Sequence, residues 1–248
     1  MEGRARPPPF GPLDRAFNAA MDHLLEGISG VTVLFSGGVD SSLIALAAGQ
    51  RSAVRLVTVG REGSPDLRWA AEASRLLGLT WEPRPIDLES VRSAIARTGF
   101  GTWPEPRRSV FVSLALALGP DSIGPVLLGQ GADELFGGYA HFRGLFGEAL
   151  ESRRLADWQR LVREDWPATQ ELGRTFGRRV EAPFLDGDFS REALRRPLAT
   201  VAPGEPTKPT FRAWARHRGV PEEIAARPKR AIQYGSGVAD LVARSGRA

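Results

Sequence analysis

The segment Ser36-Gly37-Gly38-Val39-Asp40-Ser41-Ser42 follows the apolar, β-rich run 31–35 and opens onto a second apolar stretch at 43–48. A strand that runs through glycines into a helix lets backbone N–H groups and the helix N-terminus converge on an anion. Gly37 and Gly38 supply the dihedrals of a tight turn and let a phosphate approach closely, while Ser36, Ser41 and Ser42 add hydroxyls. No Gly-x4-Gly-Lys-Ser/Thr pattern occurs, so this is not a Walker A loop. Asp40 is anomalous there, because a carboxylate repels a neighbouring phosphate. Either it caps the helix or a Mg²⁺ lies between the two.

Outward from this loop the pattern alternates. Upstream, Leu13, Phe17, Met21, Leu24 and Leu25 have helical spacing over 13–26, and the Pro/Gly-rich residues 1–12 are expected to be disordered. Downstream, 41–49, 66–77 (closed by Gly78), 88–97 and 107–118 read as helices. Segments 54–59, 79–86 and 125–128 read as strands. After Gly138 the pattern is mostly helical with no clear strand, and no linker divides 13–248. This predicts one α/β domain, a doubly wound parallel sheet with a helical C-terminal part.

A second loop repeats the design of the first. Val126-Leu127-Leu128-Gly129-Gln130-Gly131-Ala132-Asp133-Glu134 runs from an apolar strand through glycines to paired carboxylates, and Gly137, Gly138 and Tyr139 follow. First and fourth strands are commonly neighbours where a doubly wound sheet changes direction and ligands bind. Asp40 and Asp133 could then face one another across a bound pyrophosphate and share Mg²⁺. Taken alone, the segment also reads as an acidic helix cap with a bend at Gly137–Gly138.

Composition narrows the classes. The 248 residues are 42% hydrophobic, enough for a sizeable core, and no apolar run approaches a membrane span. The first residues carry positive charge without an apolar core, so no secretory signal is expected and the cytoplasm is the default location. With no cysteine, disulfides, thiolate zinc sites and cysteine nucleophiles are excluded from this chain. Of 33 basic residues only Lys208 and Lys229 are lysines, and the arginines are scattered, which fits a compositional bias better than a nucleic-acid tail. His23, His141 and His217 have no metal-ligand spacing.

SGGVDSS resembles the signature of the PP-loop ATP pyrophosphatases, which cleave ATP between its α- and β-phosphates. That class has the adenine nucleotide alpha hydrolase-like fold and includes asparagine, argininosuccinate, GMP and NAD synthetases and several tRNA-modifying enzymes. GQGADELFGGY at 129–139 resembles the GEGADELFGGY loop of the asparagine synthetase C-terminal, or synthetase, domain. Other pieces resemble that family in the same order: VGREGSPDL at 59–67, EAPFLD at 181–186, Lys208-x-x-Phe211-Arg212, and Arg227-Pro228-Lys229-Arg230. The resemblance runs over roughly 13–240, and the C-terminal PKRAIQYGSG at 228–237 looks especially like the stand-alone "asparagine synthetase domain-containing" branch.

The resemblance implies ATP and Mg²⁺ as cofactors. It implies that Ser36, Gly37, Gly38, Asp40, Ser41 and Ser42 hold the ATP phosphates and that Asp40 and Asp133 hold Mg²⁺. Leu34, Val59, Leu128 and Gly129 would border the adenosine. Lys229 would neutralise phosphate and a developing oxyanion. Glu134, Lys208, Arg212 and Arg230 are further candidates whose contact with ligand is less defined, and 181–186 reads better as a packed turn.

Two departures matter. Full asparagine synthetases begin with a glutaminase cysteine after the initiator Met, whereas here Met1 is followed by Glu2 and cysteine is absent. Ammonia would be free, come from a separate glutaminase partner, or be replaced by another nucleophile. Gln130 stands where the family has a glutamate, and an amide cannot take up a proton at physiological pH. The expected function is ATP-dependent adenylation of a small carboxylate for amide formation, releasing AMP and pyrophosphate. Adenylation of a tRNA base, or a non-catalytic subunit role, are the alternatives.

Overall fold

The structure, a computed structural model, describes residues 10–119, 122–202, 204–228 and 232–246. From the N-terminus, α1 (Gly11–Leu25), β1 (Gly30–Leu34), α2 (Val39–Gly49), β2 (Ala53–Gly60), α3 (Pro65–Leu77) and β3 (Thr80–Pro85) follow one another. Next come α4 (Leu88–Thr98), α5 (Arg107–Ala117), β4 (Val126–Leu127) and α6 (Ala132–Phe136). Then come α7 (Gly147–Arg160), a π-helical turn over Leu161–Asp165, α8 (Trp166–Thr175) and β5 (Val180–Glu181). The chain ends with α9 (Gly187–Leu194), α10 (Pro209–His217), α11 (Glu222–Ala226), α12 (Ile232–Gly235) and α13 (Val238–Ser245).

The five strands form one sheet in the order β3-β2-β1-β4-β5, and every adjacent pair is parallel. Successive side chains of a strand point to opposite faces, and the strand residues divide accordingly. Val31, Val33, Leu56 and Leu127 belong to a core that also takes residues of α1, α2, α9 and α10. Leu34, Val57, Val59, Val126 and Leu128 belong to a second core with α4, α5, α8 and α13. Helices therefore cover both faces, as alternating strands and helices require of a parallel sheet.

The expected strands and helices are present, with three differences. The first helix begins at Gly11, because Pro12 suits a helix's first turn, where its missing N–H is no loss. The strand expected over 125–128 pairs only at Val126–Leu127. The C-terminal part does contain a strand, β5, which lies parallel to β4 with Val126 opposite Val180. The segment 181–186 otherwise forms a packed 3₁₀ turn over Pro183–Leu185.

The adjacency of β1 and β4 positions the site. Thr32 pairs with Val126 and Val33 with Leu127, so the loops leaving both strands emerge side by side. Buried Thr32 reinforces this: its hydroxyl donates to the Ile123 carbonyl at 3.0 Å and accepts from the Ile123 N–H at 2.9 Å.

Candidate functional site

The first loop is held from behind. Gly37 has φ 65°, and a β-carbon there would lie 2.7 Å from Cδ1 of Trp69. The Trp69 indole N–H donates to the Gly37 carbonyl at 2.7 Å. Arg227 donates to the Ser36 carbonyl at 2.8 Å and to the carboxylate of buried Asp66 at 3.3 Å, with its guanidinium 4.8 Å above the Trp69 ring. Both carbonyls are thus drawn toward α3 and Arg227, while inside the loop the Gly38 N–H donates to Ser36 Oγ at 3.3 Å. The Ser41 hydroxyl accepts from Ser36 N–H at 3.4 Å and donates to the Gly38 carbonyl at 3.2 Å, bracing the turn. Ser42 Oγ is buried with no partner among the described residues.

Asp40 does not cap α2. Gly38 is the capping residue and no side chain caps that end. The Asp40 carboxylate instead meets Lys208, whose Nζ lies 2.5 Å from both of its oxygens and 3.0 Å from Oδ1 of Asp133. The lysine side chain is 1% exposed, whereas the carboxylates are about a quarter exposed at 24% and 23%. Burial pulls the ammonium's pKa down, but Asp133 and Asp40 outweigh it and hold the group above the usual lysine value. The carboxylates of the two loops therefore converge, and a buried ammonium lies at their meeting point.

The backbone aims that lysine. Lys208 has φ 59°, a left-handed conformation uncommon for a side-chain-bearing residue, and Pro209 follows it. Arg212, 3% exposed, donates to the carbonyls of Thr207 at 2.7 Å, Ala225 at 2.5 Å and Arg227 at 2.9 Å. Arg212 is thus spent on backbone. It ties the Lys208 segment to the Arg227 segment, and Asp40 and Asp133 act on its charge without a hydrogen bond to it.

Close approach shapes the second loop. A β-carbon at Gly129 would lie 3.3 Å from that of Asp40, so the two loops touch. Glu134 is buried and accepts a 2.5 Å hydrogen bond from the Tyr139 hydroxyl. Burial and the charges of Glu134 and Asp133 push the Tyr139 phenol far above its usual range. Gln130 donates through Nε2 to Thr169 Oγ1 at 3.1 Å, and Thr169 donates onward to the Asp165 carbonyl at 2.8 Å. Thr169's single proton is thereby engaged, so Gln130 must present its amide NH₂ to it. Gln130 Oε1 is left buried without a partner among the described residues.

Leu34, Ser36 and Val59 line one narrow cleft, of about 10 Å³, with Phe35, Val57, Thr58, Asp66 and Ala117, at the carboxyl ends of β1 and β2. Leu128 and Gly129 lie on the other side of β1, toward Asp40. Lys229 and Arg230 lie outside the described residues. His141 pairs with Asp157 at 2.6 Å and His217 with Asp14 at 3.2 Å. No cluster of three or more His, Cys, Asp or Glu is present among the described residues. The supports Asp66, Trp69 and Arg227 were not among the expected site residues. Asp66 and Arg227 do lie within the family-like stretches 59–67 and 227–230, which was the available signal.

Comparison with known proteins bears on this geometry. The chain is 27% identical over 265 aligned positions to a putative glutamine-hydrolysing asparagine synthetase of Methanocaldococcus jannaschii, covering 91% of this chain and 49% of that protein. It is 30% identical over 206 positions to an asparagine synthetase of Arabidopsis thaliana, covering 75% of this chain and 35% of that one. The chain thus spans about half the length, or less, of these curated relatives. Among solved structures, the NH3-dependent NAD synthetase of Campylobacter jejuni aligns with 14% identity and a TM-score of 0.37, covering 89% of this chain and 97% of that one. The asparagine synthase family model matches residues 13–182 and 148–246, which take in both glycine loops and the Lys208 and Arg227 segments, and the chain belongs to that family.

Proposed function

We propose that this chain uses ATP to adenylate a substrate carboxylate and then forms an amide from it, releasing AMP and pyrophosphate. One observation carries the reading: carboxylates from the loops after adjacent parallel strands, Asp40 and Asp133, converge on one cationic centre beside a glycine turn. Ser36, Gly37, Gly38, Ser41 and Ser42 would receive the phosphates, with the adenosine along the Leu34–Val59 cleft and toward Leu128 and Gly129. The substrate carboxylate oxygen attacks the α-phosphorus, the bond to the β-phosphate oxygen breaks, and pyrophosphate leaves. An amine nitrogen then attacks the acyl carbon, AMP leaves, and the nitrogen gives up a proton.

The donor set fits Mg²⁺. Two carboxylates offer hard oxygen ligands, and Mg²⁺ is commonly held by one or two carboxylates with substrate phosphates and water completing its shell. Asp40 and Asp133 would hold it, and it would supply charge neutralisation for the leaving pyrophosphate. Lys229 would stabilise the oxyanion formed on acyl attack. Glu134 and Arg230 remain second-rank candidates, and Gln130 would face the acceptor. With no cysteine in the chain, nitrogen would come from free ammonia, another amine, or a separate glutaminase partner. No helix among the described residues is long and apolar enough to cross a membrane.

The test is ATP–pyrophosphate exchange across a panel of amino acids, other small carboxylates and total tRNA. Exchange that requires a small carboxylate supports this reading, and exchange that requires RNA replaces it with base adenylation. Nucleotide binding without exchange under any condition replaces it with a non-catalytic role.

A further inference from the structure

We propose that Lys208 occupies the place of the divalent cation until nucleotide arrives, so that metal and ATP enter this site only together. The inference rests on the reading of Asp40 and Asp133 as the metal ligands. Its geometric basis is that the Lys208 ammonium lies within 3.0 Å of three carboxylate oxygens from these residues. A Mg²⁺ ion sits about 2.0–2.1 Å from its oxygens, so it cannot share that point with an ammonium. One of them must move.

Displacement is opposed in the free protein. The side chain is 1% exposed, and the carboxylates acting on its charge are Asp133 and Asp40. A bare metal ion that took both would leave a buried ammonium with neither anion, a strongly unfavourable state. It would also place two cations beside two partly exposed carboxylates. A triphosphate reverses this balance, because its oxygens give the ammonium a new anionic partner close to the loop. Metal and nucleotide then help each other to bind, and the linkage is reciprocal. The left-handed backbone at Lys208 and the Arg212 clamp on Thr207 hold the lysine against this point and oppose its release to solvent.

The choice of lysine is consistent with such a role. The chain has 33 basic residues, and this is one of only two lysines. An ammonium is a compact charge on a flexible stem that can exchange one oxygen set for another, whereas a guanidinium is a planar fork that fits a fixed pair.

The experiment measures protein-bound Mn²⁺ by equilibrium dialysis with electron paramagnetic resonance. It uses wild type, Lys208→Met, Lys208→Gln and Asp40→Asn, each with and without α,β-methylene-ATP. Wild type should bind Mn²⁺ at this site only with the nucleotide. Lys208→Met and Lys208→Gln should bind Mn²⁺ without nucleotide at least about tenfold more tightly than wild type. Asp40→Asn should lose the bound ion under both conditions. Wild type that binds Mn²⁺ equally well with and without nucleotide, in an Asp40-dependent manner, overturns the inference and leaves the metal ligands standing. Nucleotide-dependent Mn²⁺ binding in both lysine variants, matching wild type, also overturns it. If no variant shows Asp40-dependent Mn²⁺ under any condition, the metal-ligand reading itself falls and takes the inference with it. Should neither lysine variant fold, the wild-type comparison with and without nucleotide still decides.

Discussion

A β-carbon at Gly138 would lie 1.9 Å from Oδ1 of Asp133 and 2.7 Å from its carboxyl carbon. Alanine at this position must therefore displace the Asp133 carboxylate and, with Asp133 Cα at 2.9 Å, the start of α6 as well. Gly138→Ala is expected to lower ATP–pyrophosphate exchange by about a hundredfold, since displacements near 1 Å in a site have that scale of effect. Circular dichroism should still report a folded protein. Tyr139, one residue on, gives a pH prediction. Burial first, and then the Glu134 and Asp133 charges, raise its phenol far above the unfolded value of about 10. The folded state thus keeps a proton that the unfolded chain releases, and this contribution is complete below about pH 10 and lost as pH rises further. Tyr139→Phe should cost about 1–3 kcal/mol at neutral pH by removing the hydroxyl that donates to buried Glu134. It should also flatten the alkaline fall in stability, read from urea midpoints between about pH 8 and 11. A variant whose midpoints fall as steeply as wild type would show that the phenol is not the titrating group. At this scale Asp40 and Asp133 were legible, because each follows a glycine turn after an apolar strand. The place of Lys208 was not, because Lys208 and Asp40 are 168 positions apart and no local pattern fixes where such an ammonium goes.

Among the elements, α6 carries Asp133 on only five residues, Ala132–Phe136, too short to be stable alone. Arg154 of α7 holds its end. One guanidinium nitrogen donates to the carbonyls of Leu135 at 2.6 Å and Ala193 at 2.8 Å, and another donates to that of Arg196 at 2.8 Å. The side chain is 1% exposed, so it joins the carboxyl ends of α6 and α9 inside the protein, where a cation also complements both helix dipoles. Arg154→Met should cost about 3 kcal/mol in urea unfolding, from carbonyls left buried without donors. Arg154→Lys should recover only part, because a point donor cannot serve so many carbonyls. A loss below about 1 kcal/mol would show that water takes over those carbonyls. The same scale explains the strand that sequence did not reveal. Val180–Glu181 is two residues long, too short for an alternation to register, and it is a strand only because β4 lies beside it. Three of the four strands expected from sequence carry an apolar run, β3 (Thr80–Pro85) does not, and all four pair in the sheet.

For the whole molecule, the two-faced sheet was legible from strands alternating with helices, but which helix covers which face was not. That depends on contacts between distant segments, of which Trp214 is the centre on one side. It is fully buried against Phe17, Phe136, Phe189 and Phe211, and its indole donates to Asp14 of α1 at 2.8 Å. Phe136 and Phe211 come from α6 and α10, the latter following Lys208 directly, so one aromatic cluster underlies two arms of the site. Trp214→Ala should cost about 3–5 kcal/mol by chemical denaturation. The variant should also bind nucleotide more weakly at temperatures where it remains folded. Unchanged affinity in the folded variant would show that the cluster supports the fold without setting the site. The long span between Asp40 and Lys208 also has a meaning in time. At about 5–20 residues per second of synthesis, Lys208 is made about 8–34 s after Asp40, and Arg227 later still. Throughout that interval the first glycine loop exists without the arginine that turns its Ser36 carbonyl outward, and its carboxylate exists without the ammonium. A chain still on the ribosome therefore carries the loop's sequence without the distant contacts that brace it.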